Sequence, residues 1–140
     1  HAKDYVEMQW LMLQQDKPDD FVIASGKQYS VRDFIIWSAA ELGISLKFSG
    51  SDKDEIGIVD SIIGESASQL NIGDIILRVD PRYFRPTETD SLLGDANKAM
   101  KKLGWKPKIS VQEMCSEMIQ KDLIEAKKQN LLKKNGFKDN

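Results

Sequence analysis

Residues 74–88, Asp74-Ile75-Ile76-Leu77-Arg78-Val79-Asp80-Pro81-Arg82-Tyr83-Phe84-Arg85-Pro86-Thr87-Glu88, change chemical character partway along. The first half is aliphatic and β-branched and reads as a strand over Asp74 to Asp80, closed by Pro81, which has no N–H to give a ladder. The second half sets two guanidinium groups, two aromatic rings and a carboxylate side by side, on a segment that Pro86 keeps out of any helix interior. The strand predicts a sheet, and the cluster after it is the chemically richest stretch of the chain.

Upstream of this strand, residues 49–71 are rich in Ser, Asp, Gly and Glu around one further strand-like run, Gly57 to Ile63, which the 74–80 strand can pair with. Residues 49–77 therefore read as a β-rich insertion. Before it, Ser30-Val31-Arg32-Asp33 is a capping-box pattern that opens a helix to Leu42, stopped by Gly43, and Leu46 to Phe48 follows as a short strand. A first helix is expected from Ala2 to Gln15, with no residue before it read as a cap, and a short strand from Asp20 to Ala24. Downstream, Asp95 is expected to cap a helix that ends at Leu103 and Gly104, and Trp105-Lys106-Pro107 forms a rigid turn. A second capping box, Ser110-Val111-Gln112-Glu113, opens the last helix, and the Lys-rich tail beyond Gln129, residues 130–140, is expected to fray. Short strands interleaved with helices predict an α/β domain with a small sheet.

Composition bounds the function. With 140 residues, 41% of them hydrophobic and 30% charged, the chain has the profile of one globular domain and not of extended disorder. Its 20 Lys and Arg against 22 Asp and Glu leave a net charge of -2, without the basic field that nucleic-acid binding draws on. No apolar run approaches the roughly 18 residues of a membrane span, and no secretory leader pattern opens the chain. A single cysteine, Cys115, excludes an intrachain disulfide or a multi-cysteine metal site and predicts a reducing, cytoplasmic setting. The chain starts inside a helical pattern and reads as a piece of something longer.

The only histidine is His1, and there is no P-loop, no G-x-G-x-x-G and no H-E-x-x-H, so metal hydrolysis and a Ser-His triad have no residues to work with. Cys115 falls on the apolar side of the last helix and reads as buried packing. Trp10, Trp37 and Trp105 read as core. Arg32 reads as structural, and Tyr83 as packed beneath its loop. Arg85 and Glu88 stand apart: a guanidinium fork suits phosphate oxygens, and a carboxylate suits vicinal sugar hydroxyls, so the two could hold a nucleotide's diphosphate and ribose. The competing reading, which residue types alone favour, is a surface ion pair worth under about 1 kcal/mol.

The run Val79-Asp80-Pro81-Arg82-Tyr83-Phe84-Arg85-Pro86-Thr87-Glu88, with Leu92-Leu93-Gly94-Asp95 and Leu103-Gly104-Trp105-Lys106-Pro107, resembles the GDP-mannose 4,6-dehydratase family of extended short-chain dehydrogenase/reductases. His1-Ala2-Lys3-Asp4-Tyr5-Val6 and the Met8-to-Gln15 helix are similar to it as well. The resemblance implies the C-terminal, sugar-nucleotide-binding portion of such an enzyme, with Arg85 on the diphosphate of GDP-mannose and Glu88 on the ribose hydroxyls. It further implies NADP on an N-terminal Rossmann portion, a homo-oligomer when intact, and conversion of GDP-mannose to GDP-4-keto-6-deoxymannose in nucleotide-sugar metabolism. The family's Gly-rich loop and Tyr-x-x-x-Lys pair are not in this sequence: four residues after Tyr5, Tyr29 and Tyr83 stand Gln9, Asp33 and Thr87. By that reading the segment alone binds no cofactor and is catalytically silent, and one substrate-contacting arginine lies upstream of His1. Two other readings are a non-catalytic structural or oligomerisation piece and, on Leu70 to Asp80, a PDZ-like peptide-binding module; the latter lacks the Gly-rich carboxylate loop.

Overall fold

The computed structural model describes residues 1–85 and 91–137, with helices α1 (Ala2–Leu13), α2 (Val31–Glu41), α3 (Asn97–Leu103) and α4 (Val111–Lys134) and strands β1 (Ile44–Ser49), β2 (Ile56–Ile62) and β3 (Ile75–Arg78). The chain divides into two compact units, one from residues 1–31 and 87–114 and the other from 32–86 and 115–140. The expected mixture of helices and a small sheet is present, and the sheet is entirely antiparallel.

In the first unit, Met8, Ala99 and Trp105 form a closed core with Leu11, Met12, Phe21, Ile23, Ala96 and Leu103 around it. A carboxylate sits among these apolar groups. Asp4, only 3% exposed, accepts the backbone N–H of Lys108 on Oδ1 (3.1 Å) and that of Ile109 on Oδ2 (3.2 Å). Its backbone carbonyl accepts the indole N–H of Trp105 at 3.0 Å. One residue of α1 therefore holds both ends of the Trp105–Ile109 turn, and Lys108 adds an ion pair to Glu7 at 2.6 Å. Asp19 plays a similar part at the surface: Lys98 and Lys102 both donate to its carboxylate, which holds it far below the ordinary carboxylate range.

Four expectations change here. His1 does cap α1, its Nδ1 accepting the N–H of Lys3 at 3.1 Å. Residues 20–24 form no strand, because among the described residues no other segment offers them a ladder; Phe21 and Ile23 instead turn onto the core while Val22 faces out. Gly94 permits this close course: a Cβ there would lie 2.6 Å from the Ala24 Cβ. Trp10 is not core, being 60% exposed, since α1 turns Asp4, Met8 and Leu11 inward and leaves Val6, Trp10 and Leu13 on the opposite side. Helix α3 starts two residues beyond Asp95, whose Oδ1 nonetheless accepts the Asn97 N–H at 2.8 Å, and it stops at Gly104 as expected.

In the second unit, the core is Ala39 of α2, Ile44 of β1 and Val59 of β2, with Leu42, Leu46, Ile62, Ala67 and Leu70 packed on it. The sheet order is β1-β2-β3, and the register slips by one residue at Asp60 in β2 and at Ile76 in β3. Gly43 joins α2 to β1 at φ 74°, and a Cβ there would overlap the Ile63 carbonyl, whose own N–H donates to the Gly43 oxygen at 2.7 Å. Cys115 is fully buried, 3.2 Å from the Ser38 hydroxyl, as a packing cysteine should be. Helix α4 runs five residues past Gln129 and closes in a Schellman turn, with Phe137 donating to Leu132 and Gly136 to Lys133.

The box at Ser110 forms as the sequence predicts: Glu113 N–H donates to the Ser110 hydroxyl (3.2 Å), and the Glu113 carboxylate accepts the Ser110 N–H (2.7 Å). The Ser110 N–H and the Ser110 hydroxyl, which both donate to that carboxylate, lower the Glu113 pKa below its ordinary 4.5. Replacing Ser110 by Ala is expected to cost about 1 kcal/mol in urea denaturation at neutral pH. A carboxylate with a depressed folded-state pKa contributes above its unfolded value and loses that contribution as pH falls through the folded one. The gap between wild type and Ser110→Ala should therefore narrow below about pH 4.5; a gap constant down to pH 2.5 would contradict the box. Replacing Asp4 by Ala strands two backbone N–H groups and should cost about 2–4 kcal/mol, with Asp4→Asn, which keeps one acceptor, losing less. Equal losses for the two variants would show that the acceptor geometry is not what matters.

Candidate functional site

Strand β3 ends at Arg78, and the next N–H, that of Val79, still donates to Glu55 at 3.4 Å, so the sheet anchors the chain up to this point. There Pro81 sets φ near −65° and the chain folds into a β-turn, with the Tyr83 N–H donating to the Asp80 carbonyl at 3.0 Å. The Asp80 carboxylate fills the inside of the turn. Its Oδ1 accepts the Arg82 backbone N–H at 2.9 Å, and its two oxygens take the Arg82 guanidinium through Nε (3.1 Å to each) and Nη2 (2.6 Å). That pairing pushes the Asp80 carboxyl below its ordinary range and the Arg82 guanidinium above its own. The guanidinium also lies 5.6 Å above the Tyr83 ring.

Arg85 follows two residues later on an exposed stretch. Glu88 lies in residues 86–90, outside the described residues, so the two anticipated ligands are not seen together. Tyr83 departs from expectation: it is 78% exposed and not tucked under the loop, because its ring stacks with Arg82 at the surface. Arg32 has the structural part foreseen for it, paired with Glu55 and 5.2 Å above the Phe48 ring. The Asp80–Arg82 pairing went unnoticed at the sequence level; the signal available was an acidic residue directly before Pro-Arg, which favours a side-chain-capped turn.

A separate cavity of about 650 Å³ lies wholly within the first unit. Its walls include Tyr5, Tyr29, Trp105 and Met114 along with Lys27 and Lys108. Arg85 does not line it.

A dinucleotide cofactor needs a strand-to-helix turn rich in glycine, whose N–H groups receive the pyrophosphate. Among the described residues the strands are antiparallel neighbours with no helix crossing between them. No group of three or more His, Cys, Asp or Glu suited to a metal occurs among the described residues. No helix among them is long and apolar enough to cross a membrane.

Comparison with known proteins puts this local geometry in context. The family model for GDP-mannose 4,6 dehydratase matches residues 1–118. The GDP-mannose 4,6-dehydratase of Vibrio cholerae is 60% identical over 136 residues, which are 97% of this chain and 37% of that protein. The Yersinia enterocolitica enzyme is 60% identical over 137 residues, again 37% of its length. The Homo sapiens protein is 42% identical over 123 residues, 88% of this chain and 30% of that protein. The chain thus spans little more than a third of the bacterial relatives it matches. Because the match takes in the Asp4 lock, the whole sheet and the Asp80 turn alike, the chain belongs to the GDP-mannose 4,6-dehydratase family.

Proposed function

We propose that this chain is the C-terminal, nucleotide-sugar-binding portion of a cytoplasmic GDP-mannose 4,6-dehydratase. The observation that carries the reading is the 60% identity to relatives of that name over nearly the whole chain, including the run that bears Arg85 and Glu88. Arg85 supplies a planar fork of donors to the diphosphate, and Glu88 accepts from the two ribose hydroxyls. The complete enzyme converts GDP-mannose to GDP-4-keto-6-deoxymannose by NADP-dependent internal oxidation and reduction with loss of water. The NADP and the groups that move hydride and proton belong to a Rossmann portion of the same enzyme. This chain binds and orients the nucleotide.

The stripe Val6, Trp10 and Leu13 supports a partner for the first unit. These side chains recur at i, i+4 and i+7 along α1 and are 62%, 60% and 82% exposed. A face of that kind fits coverage by the remainder of the enzyme, or by another subunit of a homo-oligomer. A peptide-binding, PDZ-like role has no support of this kind.

In the full-length enzyme, Arg85→Ala removes charge-assisted hydrogen bonds and should raise the KM for GDP-mannose about tenfold or more while leaving NADP affinity unchanged. An unaltered KM would remove Arg85 from the site. Glu88→Ala should flatten the preference for GDP over its ribose-deoxygenated analogues in competition assays; a preference kept at the wild-type level would remove Glu88.

A further inference from the structure

We propose that Asp80 is a positioning residue for the nucleotide site: by clamping the Asp80–Tyr83 turn through Arg82, it fixes where the segment bearing Arg85 leaves the sheet. The inference rests on the reading of Arg85 and Glu88 given above and adds a residue that touches neither substrate nor cofactor.

The argument begins with the number of constraints on one short turn. The Val79 N–H ties the strand end to Glu55, Pro81 restricts the next φ, and the Tyr83 N–H closes the turn on the Asp80 carbonyl. The Asp80 carboxylate then takes both the backbone N–H and the guanidinium of Arg82. A two-pronged pairing fixes direction as well as distance. The Arg82 side chain is 78% exposed, and a surface ion pair adds little to global stability. What such a pair can do is choose one conformation for the local chain. Arg85 is two residues beyond Tyr83, a reach of at most about 7 Å along the backbone, so a rotation of the turn moves its guanidinium by ångströms. Misplacing a ligand group by about 1 Å is enough to cost up to 10²-fold at a site built on directed contacts.

The same geometry gives Arg82 its place in the cluster. Asp80 takes the Nε–Nη2 edge of the Arg82 guanidinium, which leaves the Nη1 donors on its other edge. Its pairing with Asp80 assigns Arg82 to the clamp, and the variants below separate that part from a phosphate contact.

The test uses the full-length enzyme and GDP as probe, with calorimetric GDP affinity, NADP affinity and Tm measured for each variant. Asp80→Ala should weaken GDP binding about tenfold, with NADP affinity and Tm unchanged. Asp80→Asn keeps an acceptor for the Arg82 N–H and should recover part of the loss. Arg82→Ala should match Asp80→Ala, and the double variant should be no worse than either single, as expected for two halves of one clamp. Wild-type GDP affinity in Asp80→Ala overturns the proposal. So does a loss in Arg82→Ala much larger than in Asp80→Ala and additive with it, which would make Arg82 a phosphate ligand. A fall in Tm and in NADP affinity alongside GDP affinity would make Asp80 merely structural and would likewise overturn it. If Asp80→Ala does not fold, Asp80→Asn and Arg82→Ala decide the matter on the same readouts. Arg85→Ala serves as the reference: wild-type GDP affinity in that variant would refute the nucleotide reading itself, whatever the Asp80 variants show.

Discussion

Taking a carboxylate out of water is unfavourable unless donors replace the solvent, and Asp4 is placed where two backbone N–H groups do so. Both donors come from the turn after Trp105, about a hundred residues further along the chain, and the indole of that tryptophan returns a hydrogen bond to the Asp4 carbonyl. The pairing closes the longest loop in the first unit and sets the depth at which Trp105 enters the core between Met8 and Ala99. Asp4 also lies in the first turn of α1, where negative charge is favoured by the helix dipole. The remaining contacts of that unit, Phe21 and Ile23 above all, pack onto a surface that this lock has already shaped.

Features governed by neighbouring residues were legible in the sequence. The Ser110 box, the Gly104 stop, and strands at 56–62 and 75–78 all follow from spacing of a few positions. Features that depend on distant partners were not. The Phe21–Ala24 run has the alternation of a strand, yet a strand exists only where another segment offers a ladder. Trp10 has the composition of core, but which side of α1 turns inward is decided by Asp4 and by the segments that meet it. The end of α4 was misjudged for a different reason. A lysine-rich composition argued for fraying, while the turn at Gly136 and Phe137 supplies hydrogen bonds for the last carbonyls.

At the site, Arg85 and Glu88 were picked out by residue type and by a run shared with a known family, whereas the Asp80–Arg82 clamp was not. A carboxylate and a guanidinium two residues apart have no periodicity to reveal them; they meet only because Pro81 turns the chain back at that point. Tyr83 was misplaced for the same reason, since its exposure follows from stacking beneath a guanidinium already held on the outside of the turn.

The tryptophans of this chain form an optical ruler. Trp105 is 3% exposed and Trp10 is 60% exposed, with Trp37 between them. A water-soluble collisional quencher therefore reaches the α1 indole long before the one locked to Asp4. Its emission also lies to the red of the buried ring's, and anything that settles over Val6, Trp10 and Leu13 shifts that component alone toward the blue. The protein thus carries, without a label, separate spectroscopic reporters for the integrity of its interior and for the occupancy of one outer face.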